Sequence, residues 1–235
     1  MHQTFIKENK MRYEITGENA PVVICHLEDG ESMITQGGGM AWMSPNMDMR
    51  TDGGGSLGKA LGRMFSGERI FQNIYTAKGE GMIAFAPSFP GQIIALDVTP
   101  EQPIVLQKRA FLASESGVQL STYLQKKGMV GFFGGEGFIM QKVTGQGKVF
   151  IEVDGSAVTY ELGEGEQLVV DTGTLAAMDG TCSMDVVAVK GAKNILFGGE
   201  GLFNTVITGP GKVVLQTISF TNLVNAIAAS IPSSN

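Results

Sequence analysis

Short apolar runs, each closed by glycine, proline, asparagine or aspartate, follow one another along most of this chain. Runs of that length, rich in β-branched and aromatic residues, predict strands rather than helices, and their number predicts an all-β protein. The first strand is expected over Met11–Ile15, ahead of a Thr-Gly turn, and the next over Val22–Leu27, ahead of the turn Glu28-Asp29-Gly30. Thr144–Gly147 and Thr208–Gly211 separate further apolar runs and predict hairpins, because their glycines supply the positive φ of a tight turn. Asp154-Gly155 predicts another, and Pro210 is tolerable because it falls in a turn, where no ladder N–H is lost. Two stretches break the pattern. Ser56–Phe65 follows Gly53-Gly54-Gly55 and reads as a short helix or a loop. Thr221–Ile231 places Leu223, Ile227 and Ile231 at i, i+4 and i+8, with Thr221 as N-cap and Pro232 as stop, and predicts a helix whose apolar stripe lies on the β body.

The pattern also repeats itself. FGGEGLFNTVITGPGKVVL at Phe197–Leu215 returns as FGGEGFIMQKVTGQGKV from Phe133 and as FSGERIFQNIYTAKGEG from Phe65. Five columns are identical in the three copies: Phe65/Phe133/Phe197, Gly67/Gly135/Gly199, Glu68/Glu136/Glu200, Thr76/Thr144/Thr208 and Gly79/Gly147/Gly211. LEDGESMI at Leu27–Ile34 likewise aligns with LGEGEQLV at Leu162–Val169, DVTPEQPIV at Asp97–Val105 fills the corresponding place in the middle, and Met40, Phe111 and Leu175 share a column. Self-similarity at such spacing predicts one supersecondary unit used three times. The units are set at 21–90, 91–154 and 155–218, after an extension over 1–20 with one strand and before a helix and tail over 219–235. The expected architecture is three tandem β-sandwich, jelly-roll-like repeats related by a pseudo-threefold, closed or nearly closed so as to hide sheet edges.

Composition narrows the function classes. With 43% hydrophobic and 17% charged residues the chain is a folded protein, and its 33 glycines and 8 prolines suit many turns. A net charge of −6 argues against a phosphate-binding surface, so nucleic acid is not the expected partner. Cys25 and Cys182 stand in apolar runs without CxxC spacing, which fits a reducing compartment. The N-terminal segment lacks the apolar core of a signal peptide, and no stretch has the apolar length of a spanning helix, so a soluble, cytoplasmic protein is expected.

No residue set reads as catalytic, cofactor-binding or metal-binding. Gly53-x-x-x-x-Gly58-Lys59 continues with Ala60 where a P-loop needs a Ser or Thr hydroxyl for magnesium. Cys25 and His26 are neighbours on a strand and point to opposite faces, so they form no dyad. The chain has only two histidines. Glu68, Glu136 and Glu200 either converge on a pseudo-threefold axis, where they would invite a hard cation, or accept hydrogen bonds from turn N–H groups; the second, structural role is favoured. Phe65, Gly67, Phe133, Gly135, Phe197 and Gly199 are read as structural in the same motif. Met33, Met40, Met43, Met47 and Met49 read as core filler, with Met43, Met47 and Met49 on one strand face, or as an adaptable contact surface. Just before each motif, Leu61 and Met64, Met129 and Phe132, and Ile195 and Leu196 are apolar at equivalent places. Gathered at one pole they are candidate interaction loops for a second copy, a protein partner or a membrane surface.

The FGGEG…TGxGKVxLQ pattern at Phe197–Gln216, present again from Phe133, resembles the AIM24 family, and the resemblance covers residues 11 to 230. It implies units similar in fold to the tryptophan RNA-binding attenuator protein, triplicated within one chain. It implies no enzymatic activity and hence no catalytic residue. Eukaryotic relatives are mitochondrial and linked to inner-membrane organisation; the absence of an Arg- and Ser-rich transit segment here fits a bacterial or archaeal member. The expectation is a non-enzymatic scaffold or binding protein, self-associating as a homo-oligomer. The alternative is binding of a small apolar ligand or RNA, by analogy with the fold relative.

Overall fold

A computed structural model describes residues 11–36, 38–52, 72–123, 139–188 and 203–230. Nineteen strands run in order: β1 (Arg12–Thr16), β2 (Val22–Leu27), β3 (Ser32–Thr35), β4 (Met40–Met43), β5 (Met47–Asp52), β6 (Gln72–Ala77), β7 (Gly81–Phe85), β8 (Gly91–Val98), β9 (Ile104–Gln107), β10 (Phe111–Glu115), β11 (Val118–Thr122), β12 (Met140–Gly145), β13 (Gly147–Asp154), β14 (Ala157–Leu162), β15 (Gln167–Asp171), β16 (Leu175–Asp179), β17 (Ser183–Ala188), β18 (Phe203–Thr208) and β19 (Gly211–Gln216). Single 3₁₀ turns, η1 (Lys108–Ala110) and η2 (Thr172–Thr174), precede β10 and β16, and helix α1 (Phe220–Ser230) follows the last strand. The protein is all-β, as its pattern predicts.

The strands form four antiparallel sheets: sheet I in the order β1-β2-β7-β4, sheet II β5-β6-β3-β10-β13-β8, sheet III β11-β12-β9-β16-β19-β14 and sheet IV β15-β18-β17. Three cores lie between them. The first joins Val23, Cys25, Ile83 and Phe85 of sheet I to Met33, Tyr75, Leu112 and Phe150 of sheet II. The second joins Phe111, Val149, Ile151 and Val153 of sheet II to Leu106, Val143, Ala177 and Val214 of sheet III. The third joins Val105, Met140, Leu175 and Val213 of sheet III to Val170, Met184 and Ile207 of sheet IV. The sheets are therefore stacked as four layers. The inner two bear a core on each face, so β13 reads as the nearly continuous run KVFIEV, with Phe150 in one core and Val149 and Ile151 in the next.

One pairing scheme recurs along the chain. β7 pairs β2 and β4, β13 pairs β8 and β10, and β19 pairs β14 and β16. Each second pair has its register shift at the same step, Met40/Trp42, Phe111/Ala113 and Leu175/Ala177. β6 in turn pairs β3 and β5, β12 pairs β9 and β11, and β18 pairs β15 and β17.

This topology corrects the hairpin expectation. β12 and β13 lie in different sheets, as do β18 and β19, and β13 and β14. Thr144–Gly147, Thr208–Gly211 and Asp154-Gly155 thus carry the chain from one layer to the next. The glycines are needed, but for a corner. A Cβ on Gly145 (φ 94°) would lie 2.3 Å from the carbonyl oxygen of Gly117, and Gln146 donates to that same oxygen at 3.1 Å. A glycine-rich spacer permits either geometry, and only the sheet that the next strand joins decides between them. Consecutive strands do pair at β1–β2, β5–β6, β11–β12 and β17–β18.

Helix α1 begins at Phe220, with the Leu223 N–H donating to the Ser219 carbonyl at 2.9 Å, so Ser219 stands where Thr221 was expected as cap. It docks by its first turn. Phe220 meets Phe89 edge to face, centroids 5.4 Å apart, whereas Ile227 of the expected stripe is exposed. Ile231 and Pro232 lie outside the described residues. The methionines also divide differently from the expected single face: Met43 is on sheet I, Met47 is buried in the first core from sheet II, and Met49 is exposed.

Candidate functional site

The motif residues Phe65, Gly67, Glu68, Phe133, Gly135, Glu136, Phe197, Gly199 and Glu200, and the loop residues Leu61, Met64, Met129, Phe132, Ile195 and Leu196, lie outside the described residues, as do Ser56–Phe65 and the Gly53–Lys59 stretch. They fall in the connections β5–β6, β11–β12 and β17–β18, the three long links between paired neighbours. Of the five identical columns, two are described. Thr76, Thr144 and Thr208 are at or next to the ends of β6, β12 and β18. Gly79 lies in the turn before β7, while Gly147 and Gly211 open β13 and β19.

Cys25 is fully buried in the first core, and burial, with the nearby Glu115 charge adding to it, pushes its thiol up to about 12. A thiol held there is no nucleophile at neutral pH. His26 points the other way, its Nε2 3.7 Å from Glu14 Oε1 on the neighbouring strand. Both Cys25 and Cys182 are free thiols. Among the described residues no group of three or more His, Cys, Asp or Glu side chains is placed to hold a metal ion, and no helix is long and apolar enough to cross a membrane.

A polar cluster with no spacing signal in the sequence lies where α1 docks. The Arg109 guanidinium stands 3.6 Å from the centre of the Phe220 ring and 5.9 Å from that of Phe89, a cation over one member of an edge-to-face aromatic pair. Glu152 on β13 accepts a hydrogen bond from the Ser88 N–H at 2.6 Å. Burial pushes its carboxyl up to about 7; the Ser88 bond opposes this, the Asp154 charge adds to it, and the Arg109 charge opposes it. Asp154 is raised too, by burial against the pull of Arg109. Gln216 ties the cluster to η2, accepting from the Asp154 N–H at 3.2 Å and donating to the Gly173 carbonyl at 2.9 Å. Every partner belongs to the scaffold, and the arrangement fastens α1 to sheets II and III.

The feature that faces outward is at the two ends of the sheet stack. Trp42 on β4 is 47% exposed and Val169 on β15 is 60% exposed, and both strands are sheet margins among the described residues. Val187 on β17, in the end sheet IV, is exposed as well, and so are Val158 and Tyr160 on β14, a margin of the inner sheet III. Apolar side chains along an open strand edge are what a protein keeps covered or uses for contact.

The family model described as mitochondrial biogenesis AIM24 matches residues 13–218. An uncharacterised protein of Streptococcus pyogenes serotype M6 is 30% identical over 236 aligned positions, covering 97% of this chain and 94% of that protein. The X-ray structure of a Streptococcus pyogenes protein superposes with a TM-score of 0.79 at 28% identity, covering 94% of this chain and all of that one.

Proposed function

From the premise that the chain belongs to the AIM24 family, we propose that it is a non-catalytic, self-associating scaffold, with protein or membrane surfaces as further contacts. The observation that carries this reading is the pair of open, apolar margins at β4 and β15. The same reading takes the recurring pairing scheme as three copies of one β unit of the kind found in the tryptophan RNA-binding attenuator protein. Its support is that each copy uses the same strand partners and the same register shift. A scaffold of this kind works in a reducing compartment such as the cytoplasm, in keeping with two buried free thiols. Sedimentation velocity over a wide concentration range tests it. The sedimentation coefficient is expected to rise with concentration, and a monomer throughout, with no retention on anionic vesicles, would overturn it.

A further inference from the structure

Eight strands lie at sheet margins among the described residues: β1, β4, β5, β8, β11, β14, β15 and β17. In the recurring scheme, two of them differ from their counterparts. The counterparts of β4 are β10 and β16, and the counterparts of β15 are β3 and β9, and all four are paired on both sides. They pair with one another: β3 with β10, and β9 with β16, both antiparallel. β4 and β15 are thus the two halves of this same junction, left unjoined among the described residues at the ends of the stack.

The side chains agree. Val169 pairs Val206, two residues before Thr208, as Ile34 pairs Ile74 before Thr76 and Val105 pairs Lys142 before Thr144. Those three positions correspond, yet Ile34 is 6% and Val105 1% exposed against 60% for Val169. The difference is a missing layer: Leu168 and Val170 face the third core, so Val169 faces outward from sheet IV, whereas Ile34 and Val105 each have a further sheet over them. Met43 corresponds by the shared register shift to Ser114, which lies opposite Ile34, and to Met178, which lies opposite Val105.

We propose that β4 of one copy of this chain pairs antiparallel with β15 of a second copy, continuing between chains the junction that β3–β10 and β9–β16 make within one. This rests on the self-associating reading above and names its surface. The register follows from Ala177↔Leu106, Met178↔Val105 and Asp179↔Ile104: Trp42 opposite Val170, Met43 opposite Val169 and Ser44 opposite Leu168. Strand pairing supplies hydrogen bonds to both edges and sets Trp42 beside Val170, while sheet II of the copy that supplies β4, which packs on the face of its sheet I that carries Met43, comes to lie over Val169 of the other copy. Trp42 brings an indole where the internal junctions have Ala113 and Ala177, and it meets the end of the third core, where Leu168 and Val186 are only partly buried. Each copy has one β4 edge and one β15 edge, so association is head to tail, ending in a ring where the rotation between copies closes and in a filament where it does not.

The test uses the full chain. Val169→Lys places a charge on the margin and is expected to weaken self-association at least tenfold in sedimentation velocity. Val187→Lys, on a margin whose counterparts β5 and β11 are also margins, is expected to leave it unchanged. Met43→Cys and Val169→Cys proteins, oxidised after mixing, are expected to give a cross-linked heterodimer that the parent, with its two buried thiols, does not give. Emission from Trp42, the sole tryptophan, is expected to shift to the blue as concentration rises. Association that survives Val169→Lys unchanged, without the mixed cross-link, overturns the β4–β15 junction and leaves the scaffold reading standing. A parent protein that stays monomeric overturns both. Should Val169→Lys fail to fold, the cross-link decides.

Discussion

Glu152 makes stability depend on pH in a direction opposite to that of a salt-bridged carboxylate. Its folded-state value of about 7 stands above the ordinary 4.5, so the folded protein holds that proton more tightly than the unfolded chain. The contribution is present in full below about pH 4.5 and is lost as pH rises through about 7. At about 1.4 kcal/mol per tenfold the ceiling is about 3 kcal/mol. Glu152 keeps some solvent contact, which reduces this to about 1–2 kcal/mol. Asp154, also raised, adds in the same sense. Glu152→Gln keeps a carbonyl oxygen for the Ser88 N–H and removes the titration. Urea unfolding from pH 4.5 to 8 should show the variant gaining on the parent by about 1–2 kcal/mol across that range, and Arg109→Ala, which removes the opposing cation, should steepen the parent's decline. Parent and Glu152→Gln curves that run parallel across the range would refute the burial argument.

Two further perturbations probe the layers. Phe150 is fully buried in the first core, 5.0 Å from the Tyr13 ring in an edge-to-face contact, so Phe150→Ala should cost about 3–5 kcal/mol by denaturant unfolding. Gly145→Ala puts a Cβ on a residue at φ 94° and against the Gly117 oxygen, and should lower stability by about 1–3 kcal/mol, visible as a lower thermal midpoint.

The sequence was legible where one local rule decides. Val22–Leu27 alternates between buried and half-buried positions, and its strand could be read from that run alone. The position of helix α1 was also legible to within a residue. Strand partnership was not, because β13 and β19 reach their neighbours through non-local pairing, and a Gly-x-Gly spacer serves a corner as well as a hairpin. The Arg109–Glu152–Phe220 cluster joins residues from three distant stretches with no shared spacing, so no motif pointed to it. The repeat had a different visibility. It was clearest in the Phe-Gly-Glu segments, yet the differences within the recurring pairing scheme, Trp42 against Ala113 and Ala177, and Val169 exposed against Ile34 buried, needed the sheet order before they meant anything.

The layering makes the stack divisible at one place in particular. All strands of sheets I and II lie before residue 155, so a chain ended after Asp154 keeps both walls of the first core, including Val23, Phe85, Leu112 and Phe150. It loses β16, β19 and β14 from sheet III, and with them Ala176, Ala177 and Val214 from the second core. What remains of that sheet is β11-β12-β9, with β9 as a bare margin carrying Val105, which is the situation of β15 and Val169 in the full chain. In a stacked array where each layer touches only its neighbours, loss of the distal layers leaves the proximal ones folded. Residues 1–154 should therefore unfold cooperatively, with slow amide exchange at Val23, Phe85 and Phe150. The fragment should also self-associate more strongly than the full chain, because β9 becomes a bare margin and the loss of sheet IV uncovers Val105 and Met140. A fragment without protected amides would mean that the first core depends on the layers beyond it, and that the stack folds only as a whole.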